Sequence, residues 1–507
     1  MIDTSLKNLI SHLPSDAPTV PVINPTTGKR IYDLPQMTAE QVVEKINHVR
    51  KLHGAWRQTT IGAREDFLKK LHNVLFANEE KLLDVLQLET GKSRAHAFEE
   101  FAGAAGAARY YGNNSSRILS KLKTKSGVPF VHKTWIEHEP LGVVGIITPW
   151  NYPMALTMLD VLPALAAGNV VVQKADNQTA LSVLMCRLMA IEAGLPEEVW
   201  TVVVGDGAEV GNAITDNADY VAFTGSTATG RKVAERAAGR LISYSLELGG
   251  KNPMIVLEGT DLNDAAEMAI AGGYGSAGQL CVSTERVYVH KDDASDFLSI
   301  LADKVESLKV GKSDDFTMDI GSLTSAAQLE RVSGFVERAV ADGAQVLAGG
   351  KALPEIGPYF YAPTVLTNVK HDSPAGCAEI FGPVLVVFEY ERIEEAIRLA
   401  NDSEYGLNAS VIGPKREATA VAHLLQAGSV NVNEGYRATF ASMDSPMGGM
   451  KASGVGRRNG PMGLIRFTDR RTMGVAATWF KLPTRGRHWV RMAPLLRLLS
   501  KLLNRFG

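Results

Sequence analysis

The chain has 507 residues, of which 45% are hydrophobic and 21% are charged, and its formal net charge is −2. This length exceeds what one hydrophobic core usually organises, so we expect a globular protein of two or three domains. The small net charge provides no general attraction for nucleic acid, and three scattered cysteines exclude a disulfide framework and suit a reducing cytosol.

The sequence gives no sign of a targeting or membrane segment. Residues 1–7 lack the basic region of a secretory leader, and the apolar run that follows is broken by Ser11, His12 and Pro14. No uncharged apolar run reaches about 18 residues, the length that crosses a bilayer. We therefore expect a cytoplasmic protein.

The first half of the chain predicts helices followed by alternating strands and helices. Residues from about 39 to 120 repeat apolar side chains on helical faces, and residues 128–142 alternate in the way of an exposed hairpin. Four short apolar runs then predict strands at 143–148, 170–174, 199–204 and 220–224. Between them lie predicted helices at 154–167, 179–194 and 208–215. This alternation is typical of a doubly wound nucleotide-binding sheet covered on both faces.

Beyond about residue 250 the pattern changes twice. A strand pattern restarts at 253–257, which predicts a second α/β domain. The tail from about 479 is basic and amphipathic. Such a segment can lie on an anionic membrane surface, but docking on a neighbouring subunit is the preferred interpretation.

Two glycine patterns could hold a nucleotide. The segment 205–211 resembles a dinucleotide fingerprint with one extra residue. The segment 223–230 is better placed, because it follows a predicted strand directly and opens a helix that Ser226 can cap, with free N–H groups facing a pyrophosphate. An ordinary strand-to-helix turn would show the same spacing, so both interpretations stay open.

The end of the second predicted strand bears on the choice of cofactor. An acid at such a strand end accepts hydrogen bonds from the ribose 2′-hydroxyl and repels a 2′-phosphate. Here Asn177 carries no repelling charge and Lys174 can pair with a phosphate, which favours NADP and leaves NAD possible. Asp176 opposes this interpretation unless its side chain points away from the ribose.

Cys281 is the candidate nucleophile. It follows the small residues GGYGSA at 272–277, which would let backbone and cofactor approach closely. The thiolate is the reactive form of cysteine, so the thiol needs a helix N-terminus, backbone N–H groups or a base. A lone cysteine is more often structural filler, and these residues alone leave both alternatives open.

Two polar side chains could assist a nucleophile. Glu247 ends a predicted strand beside two glycines, where a carboxylate can act as general base, although such an acid is more often a solvated surface group. Asn151 follows another strand, where its amide could donate to a developing oxyanion, although it could equally form a turn and helix cap. No metal site is predicted.

Six motifs, in order over about residues 20–475, resemble the aldehyde dehydrogenase superfamily. They are PWNYP at 149–153, FTGS at 223–226, ELGGK at 247–251, GQLC at 278–281, EIFGP at 379–383 and SGVGR at 453–457. The resemblance implies an α/β fold with a Rossmann-type cofactor domain, an α/β catalytic domain and a small β extension used in a homodimer or homotetramer. The implied boundaries are 1–125 and 143–248 for cofactor binding, 249–450 for catalysis, 126–142 and 451–478 for bridging strands, and 479–507 for the tail.

The resemblance also implies a role for individual residues. Cys281 would attack an aldehyde, the Asn151 side chain and the Cys281 backbone N–H would hold the thiohemiacetal oxyanion, and Glu247 would activate the water that hydrolyses the later thioester. The cofactor would be held by Thr148, Pro149, Trp150, Lys174, Asn177, Gly225, Ser226, Leu248, Gly249, Glu379 and Phe381.

Departures from the family pattern narrow these expectations. Many NAD-preferring members carry Glu where this chain has Asn177, which again favours NADP. Ser283 removes the second cysteine of a Cys-X-Cys redox pair, and Arg458 stands where the family motif often has Glu. Cys377, near Glu379, is interpreted as a packing residue.

The resemblance is strongest to a bacterial branch of NADP-dependent succinic semialdehyde dehydrogenases, through YGLNASV at 405–411, NVNEGY at 431–436 and PMGGM at 446–450. A substrate carboxylate should meet an arginine or a hydroxyl cluster. The helix after Asn151 has Met158-Leu159-Asp160 where better-known enzymes of this activity have an arginine. Arg437 is therefore the candidate for that charge, with Tyr152 and Met158 as further substrate contacts, although Arg437 could equally be a surface residue.

Two rival interpretations remain. A dehydrogenase of neutral aliphatic or aromatic aldehydes is the nearer one, because Trp150, Tyr152, Met154, Met158 and Phe440 could line an apolar tunnel. A non-catalytic structural protein on the same fold is the more remote one.

Overall fold

A computed structural model describes Leu13 and residues 17–127, 131–479 and 481–506. The expectation of a missing leader rests on residues 1–12, which lie outside the described residues, as do residues 128–130 of the predicted hairpin and residues 480 and 507 of the tail. Among the described helices, none is long and apolar enough to cross a membrane.

Two short strands and four helices open the chain. The elements up to residue 140 are β1 (Thr19–Ile23), β2 (Arg30–Pro35), α1 (Ala39–Gln58), α2 (Ile61–Ala77), α3 (Glu79–Thr90), α4 (Arg94–Ile118), β3 (Leu122–Thr124) and β4 (His132–Pro140). The four helices confirm the prediction for residues 39–120. Helix α1 begins with a reciprocal cap, in which Thr38 Oγ1 accepts from Gln41 N and Gln41 Oε1 accepts from Thr38 N.

The first large sheet follows the predicted alternation. Its elements are β5 (Val143–Ile147), α5 (Pro153–Ala166), β6 (Val170–Lys174), α6 (Ala180–Glu192), β7 (Trp200–Val203), α7 (Gly207–Asn217), β8 (Tyr220–Thr224), α8 (Thr227–Gly239) and β9 (Ser243–Glu247). The strands lie in the order β7-β6-β5-β8-β9, and all of these neighbours are parallel. The four predicted strands and the doubly wound arrangement are therefore confirmed.

The second large sheet starts at residue 252, as the restart of the strand pattern predicts. Its region contains β10 (Asn252–Val256), α9 (Leu262–Gly273), β11 (Thr284–His290), α10 (Lys291–Glu306), α11 (Ala326–Ala341), β12 (Gln345–Ala348), β13 (Thr364–Thr367), α12 (Pro374–Cys377), β14 (Val384–Tyr390), α13 (Ile393–Asn401), β15 (Tyr405–Gly406), β16 (Asn408–Ile412), α14 (Lys415–Ala422) and β17 (Ser429–Val432). The strand order is β12-β13-β14-β11-β10-β16-β17, parallel except for β12.

The last part of the chain returns to the first sheet. Its elements are α15 (Arg437–Phe440), β18 (Met450–Lys451), β19 (Gly454–Val455), α16 (Gly460–Ile465), β20 (Thr468–Ala476) and α17 (Gly486–Phe506). Strand β19 pairs antiparallel with β9, with Gly454 opposite Glu247. The first sheet therefore has a sixth strand from a distant part of the sequence, and that strand lies directly beside Glu247.

The chain forms two compact units. The first contains residues 1–118 and 140–468 with both large sheets, and the second contains residues 119–139 and 469–507 with the sheet β20-β4-β3 and α17. Strand β4 pairs antiparallel with β3. The prediction of a hairpin within residues 128–142 was therefore wrong in its extent, because β4 is one strand at 132–140 and its partner lies earlier, at 122–124. The predicted boundary at residue 248 falls between β9 and β10, but the separate cofactor and catalytic domains, and the oligomerisation role of the strands, stay predictions.

Candidate active site

The carboxyl ends of β5, β8 and β9 border a cavity of about 230 Å³. Eleven residues with a predicted role line it: Pro149, Trp150, Asn151, Gly225, Ser226, Glu247, Leu248, Gly249, Cys281, Glu379 and Phe381. Ligands of open α/β sheets bind at this end of the strands. The structure therefore brings the candidate nucleophile, base and amide into one cavity.

Four lining residues were missed by sequence reasoning: Leu156, Thr224, Gln328 and Arg331. Gln328 Nε2 donates to Phe381 O at 2.5 Å, and Arg331 Nε donates to Ile380 O at 3.2 Å. Both side chains thus hold the loop that carries Glu379 and Phe381. No sequence signal could have found them, because polar residues on a helix surface do not reveal which loop they meet.

The small residues before Cys281 make room for other protein segments. A Cβ added to Gly278 would lie 2.0 Å from Gly382 O, and Gly278 has φ +69°. Ser276 and Ala277 also have positive φ, of 53° and 54°. The expected close approach of backbone is therefore confirmed, because the Cys281 loop and the backbone at residue 382 are in contact, while the expected clearance for a cofactor stays a prediction.

Asn252 fixes the same loop from the other side. Its Nδ2 donates to Cys281 O at 2.8 Å and to Ser283 O at 2.7 Å, while its Oδ1 accepts from Asn408 N at 3.0 Å. One amide at the start of β10 therefore orients the backbone on both sides of the candidate nucleophile.

The Cys281 thiol is partly exposed in the cavity. Burial, followed by the nearby carboxylates of Glu247 and Glu379, raises the pKa of this thiol to about 12. The sulfur is therefore a protonated thiol near neutral pH, and a base has to accept its proton before or during attack.

Glu247 is suited to that task. Only 3% of the residue is exposed, and neither carboxylate oxygen has a hydrogen-bond partner among the described residues. Burial raises the pKa of Glu247 to about 7, and the positive charges of Arg458 and Arg466 oppose this rise. A buried, unpaired carboxylate with this pKa can take and release a proton near neutral pH.

Asp160 and Arg458, two residues at which this chain departs from the family pattern, form a buried ion pair near Glu247. Arg458 Nε and Nη2 donate to the two oxygens of Asp160 at 2.9 and 2.7 Å, and Arg466 Nη2 also donates to Asp160. Arg458 Nη2 further donates to Thr224 Oγ1 at 2.7 Å, and Thr224 is the β8 residue directly opposite Glu247 in β9. The two buried arginines share one aspartate, so the group carries one surplus positive charge near Glu247.

Asn151 follows β5 and is 7% exposed. Its Nδ2 donates to Gln279 O at 3.0 Å, and its backbone oxygen accepts from Lys92 Nζ at 2.9 Å. An asparagine amide has two N–H groups, so one remains for an anion in the cavity. The Cys281 backbone N–H likewise has no acceptor among the described residues.

Another part of the cavity offers groups that could bind a phosphate. Ser226 caps α8, its Oγ accepting from Thr229 N at 3.3 Å, and the remaining N–H groups of the first helical turn can receive a phosphate. Glu379 Oε1 accepts from Gly250 N at 2.9 Å, and burial raises the pKa of Glu379 to about 7. A Cβ on Gly249 would lie 2.7 Å from Glu379 Oε2, so glycine is required where this carboxylate borders the cavity.

The predicted ribose-reading residues lie at the end of β6, outside the lining of this cavity. Asn177 donates from Nδ2 to Gln36 Oε1 at 2.9 Å and accepts at Oδ1 from Gly205 N at 3.1 Å. Asp176 Oδ1 accepts from Gln178 N at 3.0 Å and thereby caps its own turn. Lys174 Nζ donates to Ala175 O at 3.0 Å, and Thr148 N donates to Lys174 O at 3.1 Å.

An apolar cluster packs against Cys281 on the remaining side. It consists of Tyr152, Ala155, Leu156, Leu280, Val282, Leu407, Tyr436, Phe440 and Met447. Arg437 follows Tyr436, is 41% exposed in its side chain, and donates from Nε to Glu99 Oε2 at 3.3 Å.

Met158 is fully buried and belongs neither to this cluster nor to the cavity lining, so the structure does not bring it to the site. Cys377 is exposed, which corrects its interpretation as a packing residue.

Comparisons with known proteins cover nearly the whole chain. The model of the aldehyde dehydrogenase family matches residues 12–473. A Mycobacterium ulcerans protein, provisionally named an NADP-dependent succinate-semialdehyde dehydrogenase, is 44% identical over 493 residues, covering 96% of this chain and 95% of the relative. The solved succinate-semialdehyde dehydrogenase of Burkholderia pseudomallei is 34% identical with a TM-score of 0.88, covering 94% of this chain and 100% of that one. An NADP-dependent enzyme of E. coli is 32% identical with a TM-score of 0.87, covering 91% and 95%.

Proposed function

This chain belongs to the aldehyde dehydrogenase family and is an NAD(P)-dependent aldehyde dehydrogenase, and we propose that it oxidises succinic semialdehyde to succinate with NADP as the preferred cofactor. The alternative of a non-catalytic protein is thereby set aside. The observation that carries the proposed chemistry is Glu247, whose buried carboxylate is unpaired among the described residues and lines the same cavity as Cys281.

In the first half of the proposed reaction, the Cys281 sulfur bonds to the aldehyde carbon while Glu247 accepts the thiol proton. The carbonyl oxygen becomes an oxyanion, to which the second Asn151 N–H and the Cys281 backbone N–H donate. A bound nicotinamide cofactor supplies the acceptor for the hydride that leaves this carbon.

In the second half, the carbon is held as a thioester on Cys281. Glu247 first releases the thiol proton to solvent and then removes a proton from a water molecule. The resulting hydroxide attacks the thioester carbon, so that the carbon–sulfur bond breaks, the acid leaves and the thiolate takes up a proton. This reuse requires a pKa near neutrality, which burial gives to Glu247.

Two lines support succinic semialdehyde as the substrate. The Mycobacterium ulcerans relative and the Burkholderia pseudomallei structure both carry this substrate in their names. Arg437 follows Tyr436 of the apolar cluster, and its Nη groups could receive a carboxylate while Glu99 holds its Nε.

A neutral aldehyde is the second candidate substrate. Glu99 already balances the charge of Arg437, and aromatic rings border the nucleophile, with Tyr152 and Phe440 at a centroid distance of 6.3 Å. Such a surface would accept an aliphatic or aromatic aldehyde without a carboxylate.

Two observations favour NADP. The relatives from Mycobacterium ulcerans and E. coli are named for NADP. At the end of β6, Asn177 is neutral and Asp176 is occupied by its own turn, which leaves Lys174 as the charged group closest in sequence to meet a 2′-phosphate. A much larger kcat/KM with NAD would contradict this preference.

The test compares succinic semialdehyde with butanal, which has the same carbon count without the carboxylate, using each cofactor. We expect a larger kcat/KM for succinic semialdehyde with NADP. Arg437→Ala should raise KM for succinic semialdehyde by roughly 10- to 100-fold and leave KM for butanal unchanged, because a charge-assisted hydrogen bond is lost. Arg437→Lys serves as the matched control that keeps the charge. An unchanged KM in Arg437→Ala removes this role, and a preference for butanal supports the neutral-aldehyde candidate.

A further inference from the structure

The C-terminal helix α17 has a composition unlike the rest of the chain. Residues 470–507 contain no Asp or Glu, and residues 479–507 contain seven of the 53 Lys and Arg. Residues 1–478 therefore have 46 basic and 55 acidic residues, so the tail has an excess of positive charge while the rest of the chain has an excess of negative charge. The match to the family model ends at residue 473, before α17 begins.

The two kinds of side chain on α17 occupy different faces. At 100° per residue, Arg487, Arg491, Arg497 and Lys501 fall within an arc of about 120°. The leucines at 495, 496, 499 and 502 fall on the remaining arc, together with Trp489 and Met492. Helix α17 is thus divided along its length into a basic face and an apolar face.

The apolar face of α17 is not buried against the rest of the chain. On this face Leu495 and Leu502 are 57% and 44% exposed, while Leu496 and Leu499 are half-buried. Single exposed leucines are common on protein surfaces, but several at helical spacing on one helix mark an interaction surface.

We propose that α17 lies flat on an anionic lipid surface and holds the enzyme there. A helix with leucines and a tryptophan on one face, and a face on which every charged residue is a cation, matches the boundary between headgroups and acyl chains. Each cation near an anionic leaflet adds attraction, and no acidic residue of the tail opposes it. The many charges exclude a spanning arrangement of α17, in agreement with the described helices.

The sequence analysis preferred the alternative that α17 packs against a neighbouring subunit. Such an interface pairs charges of both signs and fixes register through specific contacts. Residues 470–507 carry charge of one sign only, so two copies of the tail would repel each other, which disfavours an interface built from two tails. The observations therefore favour the lipid surface.

The test is flotation of the full-length enzyme with vesicles of phosphatidylcholine alone or with a quarter of phosphatidylglycerol. We expect flotation only with the anionic vesicles and its loss at high salt. Replacing Arg491, Arg497 and Lys501 by Gln should weaken binding on the order of 100-fold, and replacing Leu495, Leu499 and Leu502 by Ser should abolish it. The pair Ser500→Ala and Asn504→Ala is the matched control and should float as the parent does. Each variant should keep its aldehyde oxidation rate in solution.

Two outcomes would overturn the proposal. One is that the full-length enzyme floats with neither vesicle. The other is that deletion of residues 479–507 reduces the oligomer measured by sedimentation while flotation stays unchanged, which would assign α17 to a subunit interface. Loss of oxidation in the leucine variants would indicate damage to the fold, and the charge variants then decide the question.

Discussion

Two glutamates in the core of this enzyme have the same exposure and opposite surroundings. Glu247 and Glu285 are each 3% exposed. Glu285 accepts from Lys251 Nζ at 2.6 Å and from the backbone N–H groups of Ile380 and Phe381 at 3.0 and 2.8 Å. Glu247 has no partner among the described residues. Burial alone therefore does not distinguish a reactive carboxylate from a structural one; the hydrogen bonds do.

The contrast has a physical consequence. Each hydrogen bond to Glu285 stabilises its charge, so this carboxylate is fixed and holds the loop at 380–381. Glu247 lacks that stabilisation, and its charge is opposed by burial and favoured only by arginines at a distance. A group in this balance exchanges protons easily, which is what a general base requires.

The largest effect is expected from Glu247→Gln, which keeps the size of the side chain and removes its basicity. Steady-state turnover should fall by roughly 10²- to 10⁴-fold, the usual contribution of a general base. The first release of reduced cofactor should slow as well, because Glu247 accepts the thiol proton of Cys281, and stopped-flow absorbance would show it. Unchanged turnover would contradict the assignment of Glu247 as the base.

The next effect is on stability, from Glu285→Gln. This change leaves Lys251 charged and buried without its partner, which typically costs about 3–5 kcal/mol. The midpoint of thermal or urea unfolding should fall accordingly. The double variant with Lys251→Met is the control, because it removes the stranded charge and should recover part of the loss. An unchanged midpoint for the single variant would show that the ion pair is dispensable.

The smallest effect is a displacement of the pH profile. With a pKa of about 7, Glu247 loses its basic form as the pH falls, so turnover should decline about tenfold per unit well below that value. Arg458 lowers this pKa, so Arg458→Met should move the midpoint of the profile to higher pH while Arg466 still partners Asp160. Arg457→Met, which removes a weaker contributor, is the matched control and should move the midpoint less. A shift to lower pH in Arg458→Met would contradict the electrostatic interpretation.

Much of this molecule could be predicted from its sequence, because strands and helices of the first sheet have strong periodic patterns. The family motifs also identified residues that the fold brings into one cavity. The hydrogen bonds of Glu285 and those from Asn252 to the Cys281 loop could not be predicted, because they join segments that are far apart and lack distinctive spacing. The small residues before Cys281 indicated that other groups approach closely, but the sequence did not show that the backbone at residue 382 is one of them.

The pairing of Asp160 with Arg458 limits how this enzyme can evolve. Each residue is buried, and each supplies the charge that makes the other tolerable. A lineage that loses Asp160 alone passes through a chain with two buried arginines and no aspartate between them, which is expensive to fold, whereas loss of Arg458 alone leaves Asp160 with Arg466. A relative that differs at position 160 should therefore differ at position 458 as well, but the reverse need not hold.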